Sequence, residues 1–116
     1  GNNDMHLKNF SLFEPCDGNI RLTPAYDMLN AVILNPKDDE ELALTLNGKK
    51  KRLKRQDFIT SGLTMGVEQK TIERLISKYV KLLPEMKKLI GNSFLNEDLK
   101  DKYAELITER IARITE

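Results

Sequence analysis

The rhythm of apolar positions changes near residue 57. Before it, apolar residues alternate in short runs. Asn9-Phe10-Ser11-Leu12-Phe13 reads as a strand and Ile20-Arg21-Leu22-Thr23 as its partner. Glu14 to Asn19, dense in turn formers and containing Asp17-Gly18, joins them as a hairpin. Pro24 ends the second strand because it has no amide to give a ladder. Residues 27–34 read as a short helical or irregular segment. Leu42, Leu44 and Leu46 alternate with smaller residues and predict another strand, turned at Asn47-Gly48.

After residue 57 the period is helical. Asp57 caps a short helix from Phe58 to Leu63, and Gly66 punctuates the chain. A long helix starts near Glu68, with Ile72, Leu75, Ile76, Tyr79, Leu82, Leu83 and Met86 on one stripe. Pro84 is expected to kink or divide it, and Gly91-Asn92 to close it. Asn96 caps a last helix whose apolar face is Leu99, Tyr103, Leu106, Ile107, Ile111 and Ile114. The pattern predicts an α+β fold, mostly helical, with small β-hairpins near the N-terminus.

At 116 residues the chain is the size of one domain, so residues 1–116 are expected to form a single domain. The net charge of +1 advertises neither a nucleic acid nor a membrane partner. The charges are nevertheless unevenly placed. Lys37-Asp38-Asp39-Glu40-Glu41 is acidic, and Lys49, Lys50, Lys51, Arg52, Lys54 and Arg55 are basic. Two solvated loop or hairpin segments of opposite sign account for them. The single cysteine, Cys16, has no partner for an internal disulfide, which points to a reducing compartment. No apolar run approaches a membrane span or a signal peptide, and the expected location is the cytoplasm.

The candidate chemistry lies in the first 29 residues. Asp4 stands five residues before Asn9, with His6 and Lys8 between them. Asp27 follows an aromatic residue beyond the predicted hairpin. Phosphoryl transfer needs a carboxylate to orient and deprotonate the attacking hydroxyl, and hard oxygen ligands to hold Mg²⁺ against the phosphates. The order Asp, Asn five residues on, then a second Asp past a hairpin is that of protein kinases. The hairpin would bring Asn9 and Asp27 to one place. His6 falls where a hydrogen-bond donor to the transferred phosphate is useful, and Lys8 is a candidate charge partner for the phosphates. Gly1, Asn2 and Asn3 tolerate the unusual backbone angles of a catalytic loop.

Gly-Asn-Asn-Asp-Met-His-Leu-Lys-Asn-Phe-Ser-Leu, followed by Leu-Thr-Pro-Ala-Tyr-Asp-Met-Leu, resembles the C-terminal catalytic region of HipA-like serine/threonine kinases, the toxins of bacterial toxin–antitoxin pairs. The Asp-x-His-x-x-Asn spacing is also similar to that of lipid-kinase-like and aminoglycoside-kinase-like enzymes. Lys8-Asn9-Phe10-Ser11 and Pro24-Ala25-Tyr26-Asp27 favour HipA. The resemblance implies a kinase-like C-lobe in which Asp4 is the catalytic base and Asn9 and Asp27 hold Mg²⁺. His6 and Lys8 would have supporting roles. It further implies ATP as cofactor, a protein substrate such as an aminoacyl-tRNA synthetase, and a DNA-binding antitoxin as partner. The N-terminal lobe of such a kinase covers the phosphates. No corresponding motif precedes Gly1, so the expectation is a C-terminal fragment that is inactive alone.

A second reading takes residues 57–80 as a helix-turn-helix-like DNA-binding element beside the basic cluster. Glu68, Glu73 and Asp57 oppose it, and direct DNA contact is not expected. A third possibility is an interaction domain without a ligand, whose exposed apolar surface leads to self-association.

Overall fold

The computed structural model describes residues 2–35, 37 and 39–116. Gly1 of the candidate loop, Pro36, and Asp38 of the acidic run lie outside the described residues. The fold is α+β and mostly helical. Two strands, β1 (Leu12–Phe13) and β2 (Arg21–Leu22), are followed by four helices: α1 (Ala31–Leu34), α2 (Arg55–Thr64), α3 (Gln69–Gly91) and α4 (Glu97–Thr115).

The hairpin forms in the expected place but is shorter than its apolar pattern. β1 and β2 pair antiparallel, with Leu12 opposite Leu22 and Phe13 opposite Arg21. The Thr23 amide donates to the Ser11 carbonyl at 2.9 Å, one position beyond the strands. At the tip, Gly18 takes a positive φ of 75°, which costs an L side chain but not glycine. Asp17 accepts the Asn19 amide at 3.1 Å and pairs with Arg21 across the turn.

The strand expected over Leu42 to Leu46 does not form as a ladder. Asn47-Gly48 does make the predicted turn. Both residues have positive φ, and Leu46 and Lys49 exchange backbone hydrogen bonds of 2.8 and 3.0 Å, as a two-residue hairpin turn of this type requires. Pairing then stops. The Glu41 and Leu42 amides both go to the Lys50 carbonyl. The Glu41 carboxylate meanwhile takes the amides of Arg52 and Leu53, at 2.9 and 3.4 Å. The Leu53 amide is one that a longer ladder would have used. What remains are isolated bridges, including a parallel one between Asn2 and Leu42 that ties the start of the chain to this segment.

α2 begins three residues earlier than expected, so Asp57 lies inside its first turn and not at the cap position. It still caps the helix: its carboxylate accepts the Lys54 amide at 3.0 Å. The other carboxylate oxygen accepts from Asn47 Nδ2 and Lys49 Nζ, at 2.9 and 2.8 Å. α3 is one helix of 23 residues, and Pro84 does not divide it. Pro84 is exposed, and its missing amide leaves the Val80 carbonyl without its helical donor. Asn96 caps α4 by accepting the Leu99 amide at 2.9 Å.

α2, α3 and α4 pack against one another, most extensively α3 against α4, and α1 touches α4. The buried apolar residues are Ala43, Leu53, Ile72, Ile76 and Ile90. Leu75 and Tyr79, expected on the same stripe, are about half exposed. Gly62 lets α2 approach α3: a Cβ there would meet Ile72 Cδ1 at 2.5 Å. Among the described residues, no helix is long and apolar enough to cross a membrane.

Candidate functional site

A short 3₁₀ turn, Leu7–Asn9, leads from the polar N-terminal loop into the hairpin. It closes on itself. The Asn9 amide donates to the His6 carbonyl at 3.0 Å, and the His6 amide donates to Asn9 Oδ1 at 3.2 Å. This folds the Asn9 side chain inward, leaving the residue only 5% exposed in an otherwise open region. From there Asn9 Nδ2 donates to the Asp27 carboxylate. The two residues that the sequence separates by 18 positions are therefore in direct contact.

Asp27 is held from several sides. Its φ is +55°, a left-handed angle that aspartate tolerates better than most residues. Its carbonyl accepts from Asn2 Nδ2 at 3.3 Å. The residue before it, Tyr26, shares a hydrogen bond of 2.7 Å between its hydroxyl and Ser11 Oγ, and donates to the Lys8 carbonyl at 3.3 Å. Tyr26 and Ser11 thus clasp the two blocks at points one and two residues from Asp27 and Asn9. Residue typing had not singled out this clasp, or Asn2, as part of the site. The available signal was that Ser11 and Tyr26 lie inside the two motif blocks.

Asp4 and His6 form a second pair, both about half exposed. The His6 amide and ring Nδ1 lie 2.9 and 3.1 Å from the Asp4 carbonyl, and Nδ1 is 3.7 Å from Asp4 Oδ1. A proton on Nδ1 satisfies the Asp4 carbonyl. Among the described residues Asp4 reaches Asn9 only through His6. Lys8 is exposed, and its recorded contact with the site is through its carbonyl, not its ammonium group.

The donor chemistry suits a hard cation. Asn9 Oδ1 has a lone pair beyond the one facing the His6 amide, and Asp27 has a carboxylate oxygen beyond the one facing Asn9. Two oxygens on a rigid pair match the way Mg²⁺ binds, with water and phosphate oxygens filling the remaining positions. Among the described residues there is no group of three or more His, Cys, Asp or Glu that could hold a metal, so these two donors would need such oxygens to complete a shell.

Residues 1–86 match the family model described as the HipA-like C-terminal domain. The chain belongs to that family. It is also 23% identical, over 128 aligned positions and 97% of its length, to a Haemophilus influenzae protein described as "Putative kinase". The chain spans 37% of that relative's length. In this HipA-like domain the family match takes in the hairpin, the Asn9–Asp27 pair, α1, α2 and most of α3. α4 falls beyond it.

A second polar centre lies outside the candidate site. The Glu41 carboxylate contacts the guanidinium groups of Arg110 and Arg113 on α4, besides the two amides described above. Burial pushes its carboxyl up, but the hydrogen bonds from Arg113, the Arg52 amide and Arg110 outweigh this, and the net shift is downward. The acidic and basic runs stay largely exposed and face each other: Lys50 pairs with Glu40 at 3.1 Å and Lys51 with Asp39 at 2.7 Å, while Lys49 turns to Asp57 at 2.8 Å.

Proposed function

We propose that residues 1–116 form one domain, the C-terminal catalytic lobe of a HipA-like protein serine/threonine kinase. The observation that carries this reading is the contact between Asn9 and Asp27, two hard-oxygen residues aligned by the hairpin. In it, Asn9 and Asp27 hold Mg²⁺, which when bound neutralises charge on the ATP phosphates. Asp4 accepts the proton of the attacking protein hydroxyl as its oxygen bonds to the γ-phosphorus and ADP leaves. His6 supports the transferred phosphoryl group from beside Asp4, and Lys8 adds positive charge near it. The full-length protein supplies an ATP-covering lobe, acts in the cytoplasm, has a DNA-binding antitoxin as partner, and phosphorylates a protein such as an aminoacyl-tRNA synthetase. The 116 residues alone have little kinase activity.

The DNA-binding reading of residues 57–80 has weaker support. Three of the neighbouring lysines are already paired with carboxylates, and Ile72 and Ile76 of α3 are buried in the helix packing.

Calorimetric titration with ATP and Mg²⁺ tests the proposal. The expected result is weak, Mg²⁺-dependent binding that disappears in Asp27→Ala. Binding that survives Asp27→Ala removes Asp27 from the site. Robust ATP turnover by these 116 residues, abolished by Asp4→Ala, would overturn the expectation of inactivity.

A further inference from the structure

Asp27 keeps an uncommon backbone angle in a region with little packing to impose it. Its φ is +55°, and its neighbours Tyr26 and Met28 are 41% and 67% exposed. The hairpin ladder does not reach it, since β2 ends at Leu22. A residue in such a conformation persists only where its surroundings hold it there. Besides the contact with Asn9 and the bond from Asn2, the holding falls to the hydroxyl of Tyr26.

That hydroxyl lies 2.7 Å from Ser11 Oγ and donates to the Lys8 carbonyl at 3.3 Å. A phenol has one proton. With that proton on Lys8, the shorter bond runs from the Ser11 hydroxyl to the Tyr26 oxygen, and the chain of bonds has a single direction. The Lys8 carbonyl belongs to the same peptide unit as the Asn9 amide, which donates to the His6 carbonyl at 3.0 Å. This planar unit is held at both ends, and it sets where the Asn9 side chain starts. Tyr26 is joined to Asp27 by the next planar peptide on the other side. One hydroxyl thus fixes the separation of Asn9 and Asp27 without touching either side chain.

We propose that the chain Ser11–Tyr26–Lys8 is a positioning element that selects a small cation at the Asn9–Asp27 pair. The proposal rests on the metal reading of that pair given above. Mg²⁺ demands a near-ideal octahedron with oxygens at about 2.0–2.1 Å, whereas Ca²⁺ accepts flexible arrangements at about 2.3–2.6 Å. Adjacent oxygens of the Mg²⁺ octahedron are therefore about 3 Å apart, the span of a hydrogen bond. Two side chains held in hydrogen-bond contact supply such an edge. Without the Tyr26 oxygen the spacing relaxes, which weakens the demanding cation and spares the tolerant one. Tyr26 is 41% exposed and its hydroxyl bonds no buried residue, so the rest of the fold does not depend on that oxygen.

Nuclear magnetic resonance tests both halves of the proposal. In the metal-free protein, a left-handed Asp27 gives a strong Overhauser effect between its own amide and α protons. Tyr26→Phe is expected to lose this signal while the thermal midpoint stays unchanged. Titrations with Mg²⁺ alone and with Ca²⁺ alone, followed at the residue-27 amide, then give the ratio of the two affinities. Tyr26→Phe should lower the preference for Mg²⁺ about tenfold, the effect of losing a group that orients a metal ligand. Ser11→Ala should lower it too, and the double variant no further than Tyr26→Phe alone. Ser11→Thr, which keeps the hydroxyl, should retain the preference. An unchanged preference in Tyr26→Phe would overturn the proposal, as would losses that multiply in the double variant. Equal weakening of both cations with a lowered thermal midpoint would also overturn it and make Tyr26 merely structural. A different result strikes the metal reading itself: no Mg²⁺ response in the unaltered protein, or one that survives Asp27→Ala, overturns that reading and the cation selection with it.

Discussion

Leu12 and Ile76 are both apolar residues at regular positions, one in β1 and one in α3, yet they meet opposite surroundings. Leu12 is 69% exposed and Ile76 7%. The contrast holds across the two regions. From Asn2 to Leu29 the only buried residue among those described is polar, Asn9, and both strands lie open to solvent. From residue 41 onward, buried isoleucines and two buried carboxylates organise the chain. The candidate site therefore owes its geometry to short polar contacts, and the helices owe theirs to burial and to charge held out of water. A region of the first kind keeps its shape without a core of its own only while those contacts or a covering partner constrain it.

The comparison can be broken most forcefully at Glu41. Glu41→Ala leaves Arg110 and Arg113 facing each other, and the amides of Arg52 and Leu53 without an acceptor. A loss of about 4 kcal/mol is expected, read as a lower midpoint in urea denaturation. A core truncation sharpens the contrast next. Ile76→Ala should cost about 3 kcal/mol, whereas Leu12→Ala should change stability by no more than about 0.5 kcal/mol. Equal costs in the same denaturation experiment would mean that the hairpin is packed in solution as it is not here.

A further effect belongs to Asp57 and emerges only in acid. Hydrogen bonds from Lys49, the Lys54 amide and Asn47 hold its carboxyl at about 2, below the ordinary 3.8. A depressed folded-state pKa stabilises fully above the ordinary value and is lost as the pH falls through the lowered one. Thermal midpoints should therefore decline between about pH 4 and pH 2. Asp57→Asn should lose this part of the decline while the rest persists.

Much of the helical region was legible because its signals are local. Asn96, Gly91-Asn92 and the 3.6-residue period mark ends and faces by themselves, and the boundaries fall close to where they point. Asn9 and Asp27 were legible for another reason: Asp17-Gly18 makes the hairpin, and the hairpin fixes which residues return to meet. The missed features are those decided by distant partners. Leu42 to Leu46 has a strand's alternation, but the Glu41 side chain takes the Leu53 amide that would extend the ladder. Nothing near Glu41 in the sequence announces Arg110 and Arg113, about seventy residues away. Leu75 and Tyr79 obey the helical period yet remain half exposed, because a period shows that a face is apolar and not how much of it the rest of the chain covers.

The turn at Asn47-Gly48 carries a consequence for how the protein ages. An asparagine followed by glycine is the sequence most prone to spontaneous deamidation, because the glycine leaves its amide nitrogen free to attack the side chain. In most exposed turns the product is a harmless extra charge. Here Asn47 Nδ2 is a donor to the buried Asp57 carboxylate. Deamidation would replace that donor with a second carboxylate, leaving Lys49 to counter both. Chemical damage at one surface residue would thereby loosen the start of α2, and the molecule would carry its own clock for loss of structure during storage.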